Sequence, residues 1–534
     1  MEKRGGDLQG MTRREFLYLS GAGAAGMTLA GMPGSGLGAE KKPKYGGRLR
    51  VGERFGSTGL DAHKDQQFID FLNYTMMYNA LAIMGPAPDY KVFPDVAKSW
   101  EISPDGREYL LPLQEGVKFH HGKELDSGDV KYSIERVMNP ATRSPRAFAF
   151  SWVDSIQNPD KYQVRIRLKE PFGPFLTSLT VMTCPIIPAG WEPTSMKPAP
   201  GTGPFAFKSF VSNESVEYTR NEHYWKIDRK TGMRLPYLGG IYITKIPDDQ
   251  VRWIALRAGD LDYIQSPPRK AVLDERKNPT PGIVLPPPVG IAAYWTIFNV
   301  TKAPFSNKKV RQAVAYAVDK EELVQAAYWD LGIATNQPFE PGSWLYIPVK
   351  EREVNLDKAK KLLAEAGYPG GFKTEFLTQS ATHMVDGANV VTGQLKKIGI
   401  EMTIRVMDRA AYIKILRDGE FVIAFGGDSQ RLDPDDAYYL WLHSSQIGKN
   451  NYSRYANKEL DRLLEEGRIH WKWEDRMPFY RRALEIIEED LPVHYEVKPK
   501  LPVAWRDYLK DHTAAASSWL VYPGGGIEYA WLDK

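Results

Sequence analysis

The chain has 534 residues, of which 43% are hydrophobic, 12% aromatic and 25% charged. That is an ordinary globular composition, and it excludes collagen-like, coiled-coil and disordered classes. At roughly 150 residues per domain, the length predicts three or four modules. The net charge of +4 is too near balance for a nucleic-acid binder, and the lone Cys184 excludes a disulfide framework, an iron–sulfur cluster and a cysteine-rich zinc site.

Residues 12–17 read Thr-Arg-Arg-Glu-Phe-Leu, and an uncharged, Gly- and Ala-rich stretch follows from Phe16 to Gly38. A basic pair ahead of a weakly apolar segment resembles a twin-arginine export signal, with Arg13 and Arg14 as its signature and cleavage near Ala39. Seven glycines and Pro33 make the stretch a poor membrane anchor. No cysteine follows to carry a lipid. The expectation is export of a soluble protein to the periplasm, without a lipid anchor.

From about 86 to 199 the pattern is that of half-exposed antiparallel strands. Tyr162, Val164, Ile166 and Leu168 alternate with charged or polar residues, and Tyr109, Leu111 and Leu113 share the same period of two. The later half is helical and strand-like in turn. Ser306 opens a predicted helix that buries Val310, Ala313, Val314 and Ala317, and Asp319 with Glu322 restarts it. A Pro- and Gly-rich loop spans Gly332 to Pro348. Asn355 caps a further helix that Gly367 stops. Over 372–428 the order is strand (372–377), helix to about Lys397, strand (400–407), helix (409–418, stopped by Gly419) and a short apolar strand (421–425). A β-α-β-α-β unit of this kind implies parallel pairing, with ligands expected outside the carboxyl ends of the strands. Gly426, Gly427 and Asp428 sit there.

Six motifs in order then resemble one family. They are Ala97, Trp100, Asp105, Gly106 and Tyr109; Gly116-Val117-Lys118-Phe119-His120 with Gly122; Asp129-Val130 with Ser133 and Arg136; Gly201-Thr202-Gly203-Pro204-Phe205; Arg220-Asn221-Glu222-His223-Tyr224-Trp225; and Pro304-Phe305 with Val310-Arg311-Gln312-Ala313 and Asp319-Lys320. Together they look like the extracytoplasmic solute-binding proteins of peptide- and nickel-type ABC importers (family 5). The resemblance implies an α/β, two-lobed periplasmic-binding-protein fold of class II type with a central ligand cleft. It places a signal peptide at 1–39, a discontinuous first lobe at 40–85, 200–298 and 506–534, an inserted β-rich module at 86–199 and a second lobe at 299–505. It also implies hinge closure on a peptide or similar solute, delivery to the membrane subunits of an ABC permease, a monomer and no covalent chemistry.

Several residues are candidates for recognition. In peptide-binding relatives an aspartate at the end of the corresponding strand meets the ligand's α-ammonium, and Phe425-Gly426-Gly427-Asp428 fits that aromatic-x-x-Asp position. A carboxylate flanked by glycines that allow close backbone approach suits a buried cation. Tyr294 and Trp295 lie in a segment that lines the cleft in relatives. Strand alternation turns only one of these rings to the ligand. Phe55, Ser57 and Thr58 lie where relatives offer backbone groups to extended peptides. Tyr438, Tyr439 and Trp441 follow at helical spacing and are expected to pack rather than bind. The nine histidines are scattered apart from His120-His121, so neither a protein-built metal site nor a cofactor is expected. No Gly-x-Ser-x-Gly, Walker or His-Glu-x-x-His motif is present. Two alternatives stay open. One is a non-peptide solute such as an oligosaccharide, an amine or a metal chelate. The other is a secreted hydrolase using Asp433 with Asp435 or Asp436, although a solvated helix start is the plainer reading of those carboxylates.

Overall fold

The computed structural model describes residues 42–65, 68–86, 88–290, 292–429, 431–514, 521–522 and 525–534. Arg13, Arg14 and residues 1–39, where a leader is expected, lie outside the described residues.

Two seven-stranded sheets carry the architecture. In the first, the order is Ile283–Val284, Val503–Arg506, Tyr263–Gln265, Arg48–Glu53, Gly240–Lys245, Ser215–Arg220 and Phe205–Val211. Arg48–Glu53 runs parallel to both of its neighbours. Its alternation buries Leu49 and Val51, which pack with Tyr74, Met76 and Met77 from the helix Phe68–Met77. The C-terminal stretch returns to this sheet. Tyr508 Oη and Lys534 Nζ both reach the buried carboxylate of Asp262, at 2.6 and 2.9 Å.

Between the first strand and Phe205 lies an antiparallel sheet of four strands, Glu101–Ile102, Glu108–Pro112, Gln163–Leu168 and Val153–Asp160. The helix Ser127–Met138 covers it, started by a capping box between Asp126 and Asp129. Tyr109, Leu111, Val164, Ile166 and Leu168 face its core, as their alternation predicts. Cys184 is buried in the same core.

The second sheet has the order Val289–Gly290, Val493–Leu501, Ala292–Phe298, Ile423–Ser429, Phe372–Gln379 and Ile400–Met407, with Gly332–Ala334 added along Val493–Leu501. Phe372–Gln379 pairs in parallel with both Ile400–Met407 and Ile423–Ser429, as the β-α-β-α-β pattern predicts. The two intervening helices cover opposite faces. Thr382–Lys396 packs Met384, Ala388 and Val391 against Phe376 and Phe425. Arg409–Asp418, capped by Asp408 and stopped by Gly419 at φ +72°, packs Tyr412 and Leu416 against Leu377 and Ala424.

Three boundaries differ from the sequence reading. The helix expected from Ser306 starts at Lys308, because Asn307 supplies the cap by accepting from Lys309 N–H. The strand expected over 421–425 is Ile423–Ser429, because Gly426 to Ser429 continue pairing with Trp295 to Ala292. Ala292–Phe298 was assigned to the first lobe, but it pairs in the second sheet. The chain therefore crosses between sheets at Leu285–Pro288. The returning segment crosses at Pro502, between Leu501, which pairs with Val289, and Val503. Four prolines without N–H groups interrupt both ladders at one level, which is the geometry of a hinge.

Candidate functional site

The site forms where the second sheet ends near the first lobe. Ile423–Ser429 carries Phe425 and Gly427 towards one face of the sheet and Gly426 and Asp428 towards the other. The glycines answer to packing. A Cβ on Gly427 would lie 2.1 Å from Tyr294 Cδ1 and 2.4 Å from the Ala293 carbonyl oxygen, and one on Gly426 would lie 2.2 Å from the Tyr412 hydroxyl. Gly427→Ala, which meets backbone, is expected to lower stability by about 1–3 kcal/mol, and Gly426→Ala by less. Thermal unfolding of the two variants checks the order.

Asp428 lies opposite Ala293 in the strand pair. Its Oδ1 accepts from Ser429 N–H at 2.8 Å, and its Oδ2 is bound by Arg431. Trp295, Asp428, Ser429, Arg431, Trp441 and Tyr495 line one small cavity with about 10 Å³ of free space. Trp295 stands edge-on to Trp441 and to Tyr495, each at 5.3 Å between centroids, and the Arg431 guanidinium lies 5.8 Å from the Trp441 ring centroid. Trp295 is 4% exposed, and its indole N–H is buried without a hydrogen-bond acceptor. Next to Arg431, Leu432 packs against Met84 and Tyr90 from outside the second lobe.

Behind this cavity lies a set of buried ion pairs. Arg476 forks onto Asp433 at 2.8 and 2.5 Å, and Arg468 meets Asp435 at 2.9 Å. Arg468 also lies 3.5 Å from the Tyr439 ring centroid and faces Trp152 and Phe172 of the inserted module. Burial pushes the Asp435 carboxyl up to about 6 against the pull of Arg468. It also raises Asp436, which feels Arg431 and Arg146. Asp433 and Asp435 are thus buried partners of arginines, not a solvated helix start. Desolvation is tolerated there because each carboxylate is matched by a hydrogen-bonded guanidinium.

Of the residues singled out from sequence, the structure brings Asp428, Trp295 and Trp441 together at the cavity. Tyr294, Phe425, Gly427, Phe55, Ser57 and Thr58 lie elsewhere. Phe425 is fully buried against Phe376, and Gly427 is closed over by Tyr294. Phe55 is 55% exposed under the Arg54 guanidinium. Ser57 is buried, and its hydroxyl binds the Gly59 carbonyl and Asp70. Its own carbonyl accepts from Asn213 N–H at 2.7 Å, and the Thr58 carbonyl accepts from Ser212 at 3.5 Å. The loop therefore uses these backbone groups to hold the turn at 211–214. Trp441 lines the cavity, while Tyr438 is core and Tyr439 stacks on His443. The sequence reading missed Arg431 and Tyr495. Arg431 stands three residues beyond Asp428, and that spacing was the available signal.

Tyr294 faces the opposite side and stacks on His383 at 5.4 Å, beside Tyr328. Arg269 of the first lobe donates to the Ala327 carbonyl at 2.6 Å and lies 3.6 Å from Asp386, so the two lobes touch here. Burial, with Arg269 and Arg54 adding to it, pushes His383 down to about 4. A histidine whose folded pKa is depressed contributes full stability above about 6.5, and that contribution is lost as pH falls towards 4. His383→Gln should therefore show a flatter fall of Tm between pH 6.5 and 4 than the parent protein. Parallel curves would contradict this.

Among the described residues, no group of three or more His, Cys, Asp or Glu side chains is placed to hold a metal ion, and no helix is long and apolar enough to cross a membrane.

Residues 91–450 match the family described as bacterial extracellular solute-binding proteins, family 5. Heme-binding protein A of Haemophilus influenzae is 33% identical over 75% of this chain and 77% of that protein. Di/tripeptide-binding protein 1 of Pseudomonas aeruginosa is 26% identical over 76% of this chain and 80% of that protein. Among solved structures, the periplasmic binding protein DppA of Helicobacter pylori in complex with the peptide STSA superimposes with a TM-score of 0.76. It is 28% identical, and the match covers 92% of this chain and 99% of that one.

Proposed function

Because the chain belongs to the bacterial extracellular solute-binding proteins of family 5, we propose that it captures short peptides or similar zwitterionic solutes at the Asp428–Trp295 cavity and hands them to an ABC permease. The observation that carries this reading is a carboxylate at a strand end, in a cavity walled by Trp295, Trp441 and Tyr495. Such a carboxylate suits an ammonium group, and flanking aromatic faces suit both its charge and an adjoining apolar side chain. The names of relatives that bind di- and tripeptides or the peptide STSA support the same solute class. Only about 10 Å³ is free between these side chains in this structure, so in this reading they part to admit the solute.

In this reading the lobes close about the proline-interrupted crossings at Leu285–Pro288 and Pro502. Arg269 and Leu432 make contacts that closure completes. We read residues 1–39 as a leader for export and the protein as acting outside the cytoplasmic membrane as a monomer.

The test is to denature the purified protein and identify by mass spectrometry what it releases. A short peptide or related zwitterion released unchanged supports the proposal. A released solute without an amino group, or turnover of the bound solute, contradicts it.

A further inference from the structure

We propose that the inserted module is a latch on the closed form. Its Trp152–Phe172 stack and its turns at Gly106 and Gly173 dock on residues 468–472 of the second lobe as the lobes close, and this contact favours closure by the same amount whatever solute is bound. The inference rests on the reading that the lobes part and close about the proline-interrupted crossings.

Three observations carry it. The first is connectivity. The chain enters and leaves the module through the first lobe, and buried polar contacts hold the two together. Arg136 forks onto Asp61 at 3.0 and 2.8 Å, and Asn79 donates to Asp95 at 2.9 Å. Covalently, the second lobe joins this body only through the crossings at Leu285–Pro288 and Pro502. A contact between the module and the second lobe therefore spans the cleft and breaks when the lobes part.

The second observation is the fit. The turn at Gly106, the chain entering Val153–Asp160 and the chain leaving Gln163–Leu168 lie at one end of the module's sheet, since Glu108 pairs with Arg167 and Val153 with Leu168. That end meets the link between the helices Lys458–Ile469 and Trp473–Asp490. Gly173 N–H donates to the Arg468 carbonyl at 2.7 Å. A Cβ on Gly173 would lie 2.2 Å from the His470 carbonyl oxygen, and one on Gly106 would lie 2.6 Å from Trp471 Cδ1. The two bodies approach this closely because both positions lack side chains.

The third observation is the charge held at the contact. Trp152 and Phe172 stack at 5.4 Å between centroids, and the Arg468 guanidinium lies 5.4 and 5.6 Å from their rings. Asp435 binds that guanidinium from the second-lobe side, and Arg476 braces the link through the Gly467 carbonyl. The buried ion pairs thus present a fixed cation to an aromatic pair across the cleft. None of these residues lines the Asp428–Trp295 cavity, so the latch adds to closure without reading the solute.

The test compares the full protein with Gly173→Ala. The φ of Gly173 is not in the left-handed region, and the atoms nearest its Cβ, in His470 and Arg476, belong to the second lobe. The variant therefore strains the contact and leaves the module's interior alone. Spin labels on cysteines replacing the exposed Gln157 of the module and Arg462 of the second lobe read the gap, Cys184 being buried. An equimolar mixture of dipeptides with free termini is the probe, and depletion read by mass spectrometry identifies those taken. Gly173→Ala is expected to lower the closed-to-open ratio of the solute-free protein about tenfold. It is also expected to weaken every depleted dipeptide by one common factor of up to about tenfold, with their order of preference kept. If Gly173→Ala does not fold, Trp152→Leu, which takes one ring from Arg468, is expected to lower the same ratio about threefold. Either variant keeping the parent's ratio, or a weakening that differs from one dipeptide to the next, overturns the latch. A parent protein that depletes none of the dipeptides overturns the functional reading itself, a failure distinct from one confined to the latch.

Discussion

Arg476→Ala is expected to lower the stability of the second lobe by about 3–5 kcal/mol, because it leaves a buried carboxylate without its cation. Arg476 and Asp433 are each 2% exposed, and the guanidinium spends two nitrogens on that carboxylate. Its Nε binds the Gly467 carbonyl at 2.9 Å, which joins the helix Lys458–Ile469 to the turn carrying Asp433. The loss is therefore larger than for an exposed pair, whose worth is about 0–1 kcal/mol. The double variant Asp433→Leu/Arg476→Met removes both charges and should recover most of the loss, since burying neither ion avoids both desolvation costs. Urea unfolding followed by a probe in the second lobe reads both. A change under about 1 kcal/mol in the single variant would show that water or a neighbouring group compensates Asp433.

Asp428→Ala is expected to weaken binding of dipeptides with free amino termini by about 2–5 kcal/mol, some 30-fold to several thousand-fold. The ammonium loses its carboxylate, and Arg431 loses its counter-ion in the free protein. Asp428→Asn preserves shape and hydrogen-bonding capacity while removing the charge, so most of the loss should persist in it. Calorimetry with a dipeptide identified by depletion measures the effect. Equal affinities for parent and variant would remove Asp428 from the site. Gly426 and Gly427, although adjacent, should act through stability instead, because they face Tyr412 and Tyr294.

Much of the fold was legible because it is written in local periodicity. Alternation marked Gln163–Leu168 and Ile400–Met407. Asn355 announced a helix start and Gly419 a helix stop, and the 372–428 unit announced parallel strands. The crossing between sheets was misplaced because Ala292–Phe298 is apolar on both faces. Such a strand fits the middle of either sheet, and only its pairing with Ile423–Ser429 decides between them.

The site was less legible, for a related reason. Period two separated Tyr294 from Trp295, yet which face holds a cavity is decided by Trp441 and Tyr495, from distant parts of the chain. Asp433 and Asp435 read as polar helix-start residues because Arg476 and Arg468, which allow their burial, lie in later helices. Ser57 and Thr58 read as a place where backbone groups meet a peptide because the turn at 211–214, which engages them, arrives only through folding. Asp428 itself was found from its strand and its glycines, but its partner Arg431 was not.

The measurement that bears most directly on the central claim is an experimental structure of the protein with its co-purified solute in the cleft. The account predicts an ammonium nitrogen of the solute within hydrogen-bond distance of Asp428. A solute seated instead against Tyr294 and His383, with the Asp428–Arg431 pair intact, would contradict it.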